Sequence, residues 1–226
     1  MNRIQVWLVS AAIWGSGAPW LWAACSEVTT VDFVGTVCLD DISESRSGQW
    51  IVDDAGVFEG TATIRRIVSP GHVGHSVLQK GGSLRTPQFE GSLTFYQERY
   101  KNYLGEVVTY SNEALQGREN LANGGVFNGT ANTYKSSIGS NKAYKNSRKY
   151  GTLKTPGFDG TLSLSEYRYK NDAGAWITTG TETHTGTWIL APDEKLIGTW
   201  TLTHKADGTS SVNDARRRVV VSPAVP

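Results

Sequence analysis

The stretch Phe158-Asp159-Gly160-Thr161-Leu162-Ser163-Leu164-Ser165-Glu166-Tyr167-Arg168-Tyr169-Lys170 decides the fold. Phe158, Gly160, Leu162 and Leu164 fall on one parity, and Asp159, Thr161, Ser163 and Ser165 on the other. A period of two is the signature of a half-buried β-strand. Asn171-Asp172-Ala173-Gly174 then supplies turn chemistry. Residues 176–189 alternate again, with Ile177, Thr179, Thr181, Thr183, Thr185, Thr187 and Ile189 on one face. These β-branched side chains favour an extended backbone. Pro192-Asp193 makes a further turn, and Leu196 to Thr203 returns as a strand. The segment therefore reads as consecutive antiparallel hairpins.

The same pattern occurs earlier in the chain. Residues 56–120 align without a gap on residues 125–189, and 22 of the 65 positions are identical. Gly56-Val57-Phe58-Glu59-Gly60-Thr61-Ala62 matches Gly125-Val126-Phe127-Asn128-Gly129-Thr130-Ala131, and Arg99-Tyr100-Lys101-Asn102 matches Arg168-Tyr169-Lys170-Asn171. Gly48, Gly117 and Gly186 stand 69 residues apart, as do Gly60, Gly129 and Gly198. Such fixed spacing marks an internal duplication, with units expected near 31–81, 82–150 and 151–205. Segments 67–80 and 135–149, polar and without clear periodicity, are expected as long loops. No stretch has a helical period. Glycine repeats once per strand in aromatic-x-Gly motifs, which suits a strongly bent sheet. The expected architecture is all-β, an antiparallel meander of repeated hairpins closed into a barrel, with residues 25–205 as a single domain and 206–226 as a C-terminal tail.

Met1-Asn2-Arg3, the apolar run Ile4–Trp14 and the small residues Ala23 and Ala24 read in order as a secretory signal spanning 1–24, cleaved after Ala23 or Ala24. The run is shorter than the ~20 apolar residues of a membrane-spanning helix, so no transmembrane segment is expected in the mature chain. A secreted or periplasmic location follows. In that oxidising setting Cys25 and Cys38 are expected to pair, the rival reading being lipid attachment at Cys25. The net charge is +1, from 22 basic and 21 acidic residues. Such a balance gives no field to attract nucleic acid; Arg216-Arg217-Arg218 is the one dense basic run.

Parity assigns the enclosed face. Besides Trp, Phe and Leu, that face carries Glu113, Glu182, Arg99, Arg168, Glu166, His184 and His204. Charges there need partners, and Arg99 and Arg168 are expected to pair with Glu113 and Glu182 across adjacent strands or to line a ligand pocket. His184 stands where the earlier copy has Leu115, two residues from Glu182, and the two could carry out acid–base chemistry. Trp188, Trp200, Glu113, Arg99, Arg168 and His204 are the candidate ligand-binding residues. His72-Val73-Gly74-His75 has metal-compatible spacing but no nearby carboxylate or cysteine. Neither a metal nor a cofactor is assigned. No nucleophile elbow, zinc-protease motif, phosphate loop or dinucleotide fingerprint occurs.

The recurrent Gly-x-Trp at strand starts (Gly48-Gln49-Trp50, Gly174-Ala175-Trp176, Gly186-Thr187-Trp188, Gly198-Thr199-Trp200) resembles the calycins. The aromatic-x-Gly-Thr strands resemble the allene oxide cyclase-like and dirigent-like barrels. Both resemblances imply a barrel holding a small, mostly apolar molecule. Three function classes follow: an exported small-molecule binding barrel; a metal-independent isomerase or cyclase using Glu182 and His184; and a structural or surface-recognition protein without a pocket. An outer-membrane barrel would need a lipid-facing apolar band on every strand, and the Thr-rich alternate faces oppose it.

Overall fold

The computed structural model describes residues 24–52, 56–68, 70, 72–139 and 142–220. The expected signal lies outside these residues, apart from Ala24. Every regular element described is a strand: β1 Ala24–Thr29, β2 Phe33–Leu39, β3 Ser43–Val52, β4 Gly56–Arg66, β5 Val73–Arg85, β6 Phe89–Lys101, β7 Val107–Asn120, β8 Val126–Ile138, β9 Lys142–Thr155, β10 Phe158–Lys170, β11 Trp176–Ala191, β12 Glu194–His204, β13 Ser210–Asp214 and β14 Arg217–Val220. They form one antiparallel meander in chain order from β1 to β13, and β14 pairs with the other half of β12. No helix long and apolar enough to cross a membrane is present among the described residues.

Two expectations are corrected, and the hydrogen bonds leave the expected closure into a barrel without support. Residues 67–80 and 135–149 are largely not loops, because β5 and β9 run through them. In β9 the polar side chains of Lys145, Ser147 and Lys149 alternate with Tyr144, Asn146 and Arg148, so neither parity is apolar and a period-two search finds nothing. The C-terminal segment is not a free tail, since β13 and β14 extend the sheet. The barrel is not closed by hydrogen bonds: no ladder joins β1 to β13 among the described residues. The edges explain this. β1 has six residues and the broken final strand offers five and then four, against 13 to 16 in β5–β11. Short, interrupted edge strands discourage further pairing.

The duplicated hairpins superimpose in register. β6 and β10 begin and end 69 residues apart, at Phe89–Lys101 and Phe158–Lys170. Their turns follow one design: Gly105 and Gly174 adopt φ of 77° and 78°, and each N–H donates to the carbonyl of Asn102 or Asn171. Left-handed φ is open to glycine at no steric cost.

Glycines line up across the ladders. Gly35, Gly48, Gly60 and Gly82 are successive partners, then Gly91, Gly117, Gly129 and Gly151, then Gly160, Gly186 and Gly198. The row steps by two residues at β5–β6, where Gly82 faces Leu93, and again at β9–β10, where Gly151 faces Leu162. At Gly129 a Cβ would stand 2.2 Å from the Tyr150 carbonyl oxygen and 2.7 Å from Gly151 Cα. Here the backbones come too close for any side chain. The Phe two residues earlier covers the gap, with Phe127 Cζ 2.8 Å from that virtual Cβ. The aromatic-x-Gly motif is thus one local unit, a ring laid over a crease.

The face carrying these glycines (the glycine face) also holds Phe33, Trp50 and Phe58 in ring contact at 4.8 and 5.1 Å, and Phe158 against Trp188 at 4.8 Å. Phe33, Phe58, Phe127, Leu153 and Phe158 are buried there. Among the described residues all fourteen strands belong to one sheet, and the buried Phe127, Leu153 and Phe158 pack with Leu121, Leu162 and Trp188.

Candidate binding site

Beyond the crease, the long ends of β6–β11 carry a polar cross-section of the glycine face. Ladder pairing places Gln97, Ser111, Lys135, Lys145, Arg168 and Thr178 in one row across six strands. All of the row but Thr178 lines a groove of about 580 Å³ whose walls also include Phe95 and Trp176. A second groove of about 470 Å³, reaching Glu166, Thr178 and His204, adjoins it at Trp176. Trp176 is 46% exposed and has Arg168 and Lys170 over its ring, at 5.6 and 5.8 Å. Arg168 Nε is buried without a hydrogen-bond partner among the described residues.

The candidate catalytic and ligand-binding residues all sit on the glycine face, but not in one place. Trp188 faces Phe158, while Arg168 lies ten residues along β10, roughly 33 Å away at strand rise. The expected arginine–glutamate pairs do not form. Arg99 faces Thr109, Glu113 faces Phe95 and Arg168 faces Thr178. Glu182 lies four residues from Thr178, about 13 Å along β11. Matching parity did not put these groups in register. Glu182 instead meets His184, with Nε2 2.6 Å from Oε1. The imidazole stands edge-on to Phe158 and Trp200 at 5.3 and 5.6 Å. Such a dyad can hold a proton on one nitrogen, and its aromatic setting also fixes the ring as a packing element. His204 Nδ1 is 2.8 Å from Ser210 Oγ. Arg216 lies over Trp188 at 4.8 Å.

Lys135, Lys145, Phe95 and Trp176 were not singled out from sequence as binding residues. Both lysines belong to the stretch read as a loop, so parity could not assign them to a face. Trp176 replaces Val107 of the earlier copy, a unit-specific change of the kind that drew attention to His184.

The opposite face carries a belt of tyrosines. Tyr144 Oη donates to Tyr134 Oη at 3.3 Å, and this bond, with partial burial, pushes the Tyr134 phenol from 10.0 up to about 12. A hydrogen bond with Tyr100 raises Tyr110. Burial, then the Glu98 carboxylate, raises Tyr96. His75 Nε2 lies 2.7 Å from Glu98 Oε1, and His72 stacks on Tyr100 at 4.1 Å. No group of three or more metal-ligating side chains occurs among the described residues. At the other end of the sheet, Cys25 and Cys38 face each other across β1 and β2, with their sulfurs 2.11 Å apart.

Compared with known protein families, curated proteins and solved structures, the chain matches none.

Proposed function

We propose that this protein is an exported binding protein that holds a small molecule in the groove across β6–β11. One observation carries the reading: a groove of about 580 Å³ on one face of the sheet, combining aromatic walls with polar groups. That volume is of the size that small-molecule sites occupy, and an apolar lining with a few placed polar groups is their usual make-up. Export is supported by the amino-terminal segment and by the Cys25–Cys38 bridge, which belongs to an oxidising compartment. The ligand is not enclosed as in a barrel; it lies in a trough whose apolar contact comes chiefly from Phe95 and Trp176.

The test is binding of the neutral fluorophore N-phenylnaphthylamine, followed by its emission and by quenching of tryptophan. Trp176→Ala should weaken binding about tenfold, the loss of one aromatic contact worth ~1.5 kcal/mol. Trp50→Ala, at the far end of the sheet, should leave it unchanged. Absence of binding, or equal binding by Trp176→Ala, refutes the reading.

A further inference from the structure

We infer that the ligand is an amphiphile with an anionic head, and that Lys135, Lys145 and Arg168 form its receptor; this rests on the groove being a binding site.

The three cations are direct ladder partners, Lys135 opposite Lys145 and Lys145 opposite Arg168. Directly opposed residues have Cβ atoms about 4.5–5.5 Å apart, and like charges there repel. Other glycine-face charges are paired, Lys149 with Glu119 and Arg46 with Glu44, whereas Lys80 and Arg99 stand singly, without a second cation directly opposite on the same face. None of the three makes an ion pair among the described residues. Glu113 and Glu166 face the same side from the adjoining row, opposite Phe95 and Ser147, and they too are without an ion-pair partner among the described residues. The row therefore keeps an unspent positive charge beside two carboxylates that could have neutralised it.

Arg168 sharpens the point. Its Nε–H is buried and unsatisfied, a state native proteins rarely leave without a use. Its planar fork matches carboxylate and phosphate oxygens, and stacking on Trp176 limits its freedom before any ligand arrives. The earlier copy carries Arg66, Ser76 and Arg99 at the equivalent positions. Lys145 is thus the added cation, filling the gap between two basic positions that the duplication already provided. The aromatic counterpart, Trp176, is also particular to this unit. The cations and the apolar wall meet in one groove, which is what an anionic head with an apolar tail requires.

The test uses the full mature protein with its disulfide intact and three probes of one chain length: dodecanoate, dodecyl phosphate and dodecanol. The expected result is affinity at least about tenfold higher for an anionic probe than for dodecanol, one charge-assisted hydrogen bond's worth. That preference should fall as salt rises. Lys135→Gln/Lys145→Gln/Arg168→Gln should bring the anionic probes down to the wild-type level for dodecanol, while Lys154→Gln, outside the groove, changes nothing. Preference for dodecanoate assigns a carboxylate head, and preference for dodecyl phosphate a phosphate. Equal, salt-independent binding of all three overturns the inference and leaves the groove reading standing. Binding of none overturns both. The salt series on the wild-type protein decides the matter even if the triple variant does not fold.

Discussion

Gly129→Ala isolates the feature that shapes the sheet. The added methyl would meet the Tyr150 carbonyl oxygen at 2.2 Å, Gly151 Cα at 2.7 Å and Phe127 Cζ at 2.8 Å. The ring can swing away, whereas the two backbone atoms cannot move without moving β9. Carbon atoms in contact rest at about 3.5–4.0 Å, so Gly151 must retreat by roughly 1 Å. Overpacking of that kind costs ~1–3 kcal/mol, and a ladder hydrogen bond stretched by as much loses a further ~1 kcal/mol. The smaller entropy of the unfolded alanine chain returns about 0.4–1 kcal/mol. A net loss of ~2–3 kcal/mol is expected. Gly81→Ala is the control: it is also inside a strand, but its Cβ would meet nothing within 4 Å, so it should stabilise by about 0.4–1 kcal/mol. Guanidinium unfolding followed by tryptophan fluorescence reads both, as midpoint shifts at unchanged slope. Adding Phe127→Ala to Gly129→Ala should not restore stability, because the carbonyl remains. If Gly129→Ala stays within about 0.5 kcal/mol of wild type, or if removing the ring rescues it, the backbone crease is not what demands glycine.

Further consequences can be measured separately. Tyr134 holds its proton to about 12 against 10.0 unperturbed, so its contribution to stability is complete below pH 10 and is lost as pH rises through 12. Ultraviolet titration should show a late tyrosine that Tyr134→Phe removes. Cys25 and Cys38 are 13 residues apart, and closing a loop of that size is worth about 3 kcal/mol in the chain-entropy account. Cys25→Ser/Cys38→Ser should speed amide exchange in β1 and β2, with β6–β11 unaffected. His184→Leu introduces the side chain found at the equivalent Leu115, opposite a leucine in both copies but beside Trp200 rather than Ala131. It should fold with a loss below about 1.5 kcal/mol, a loss well above which would show that the Glu182 contact is integral to the sheet.

Where one parity was apolar, the strands could be read directly. β10 shows this best: Phe158, Gly160, Leu162 and Leu164 announce both the strand and its buried face, and the 69-residue register carried that reading to β6. Face assignments for Glu182, His184, Trp188 and Trp200 followed in the same way. β9 shows the limit. A strand in a single sheet owes neither face to a core, so Lys145 and Tyr144 could alternate without any apolar signal, and the cationic row went unseen. Pairing partners were likewise out of reach, because parity gives the face and not the register. Four residues of slip separate Arg99 opposite Thr109 from a pairing with Glu113. The edges depended on strand length, and a five-residue strand such as β13 leaves almost no periodic trace.

The exposure of the groove to water also explains how it can carry its charges. In a closed core, three opposed cations would cost several kcal/mol each in desolvation. Here they stand on a face open to water, where Lys135 is exposed and Lys145 half-buried, and the cost is mainly mutual repulsion. The ladders hold β8, β9 and β10 in place whatever those side chains do, since the backbone bonds of a sheet do not depend on what a face contacts. The aromatic units at the crease provide the packing, some 20–30 Å away along the strands. Stability and recognition are therefore borne by different segments of the same strands. Changes at the crease should alter folding with little effect on affinity, and charge removal in the groove should do the reverse. By relieving repulsion between neighbouring strands, Lys145→Gln should hold or slightly raise stability as it weakens binding. A loss on both counts would mean that the lysine is part of the scaffold.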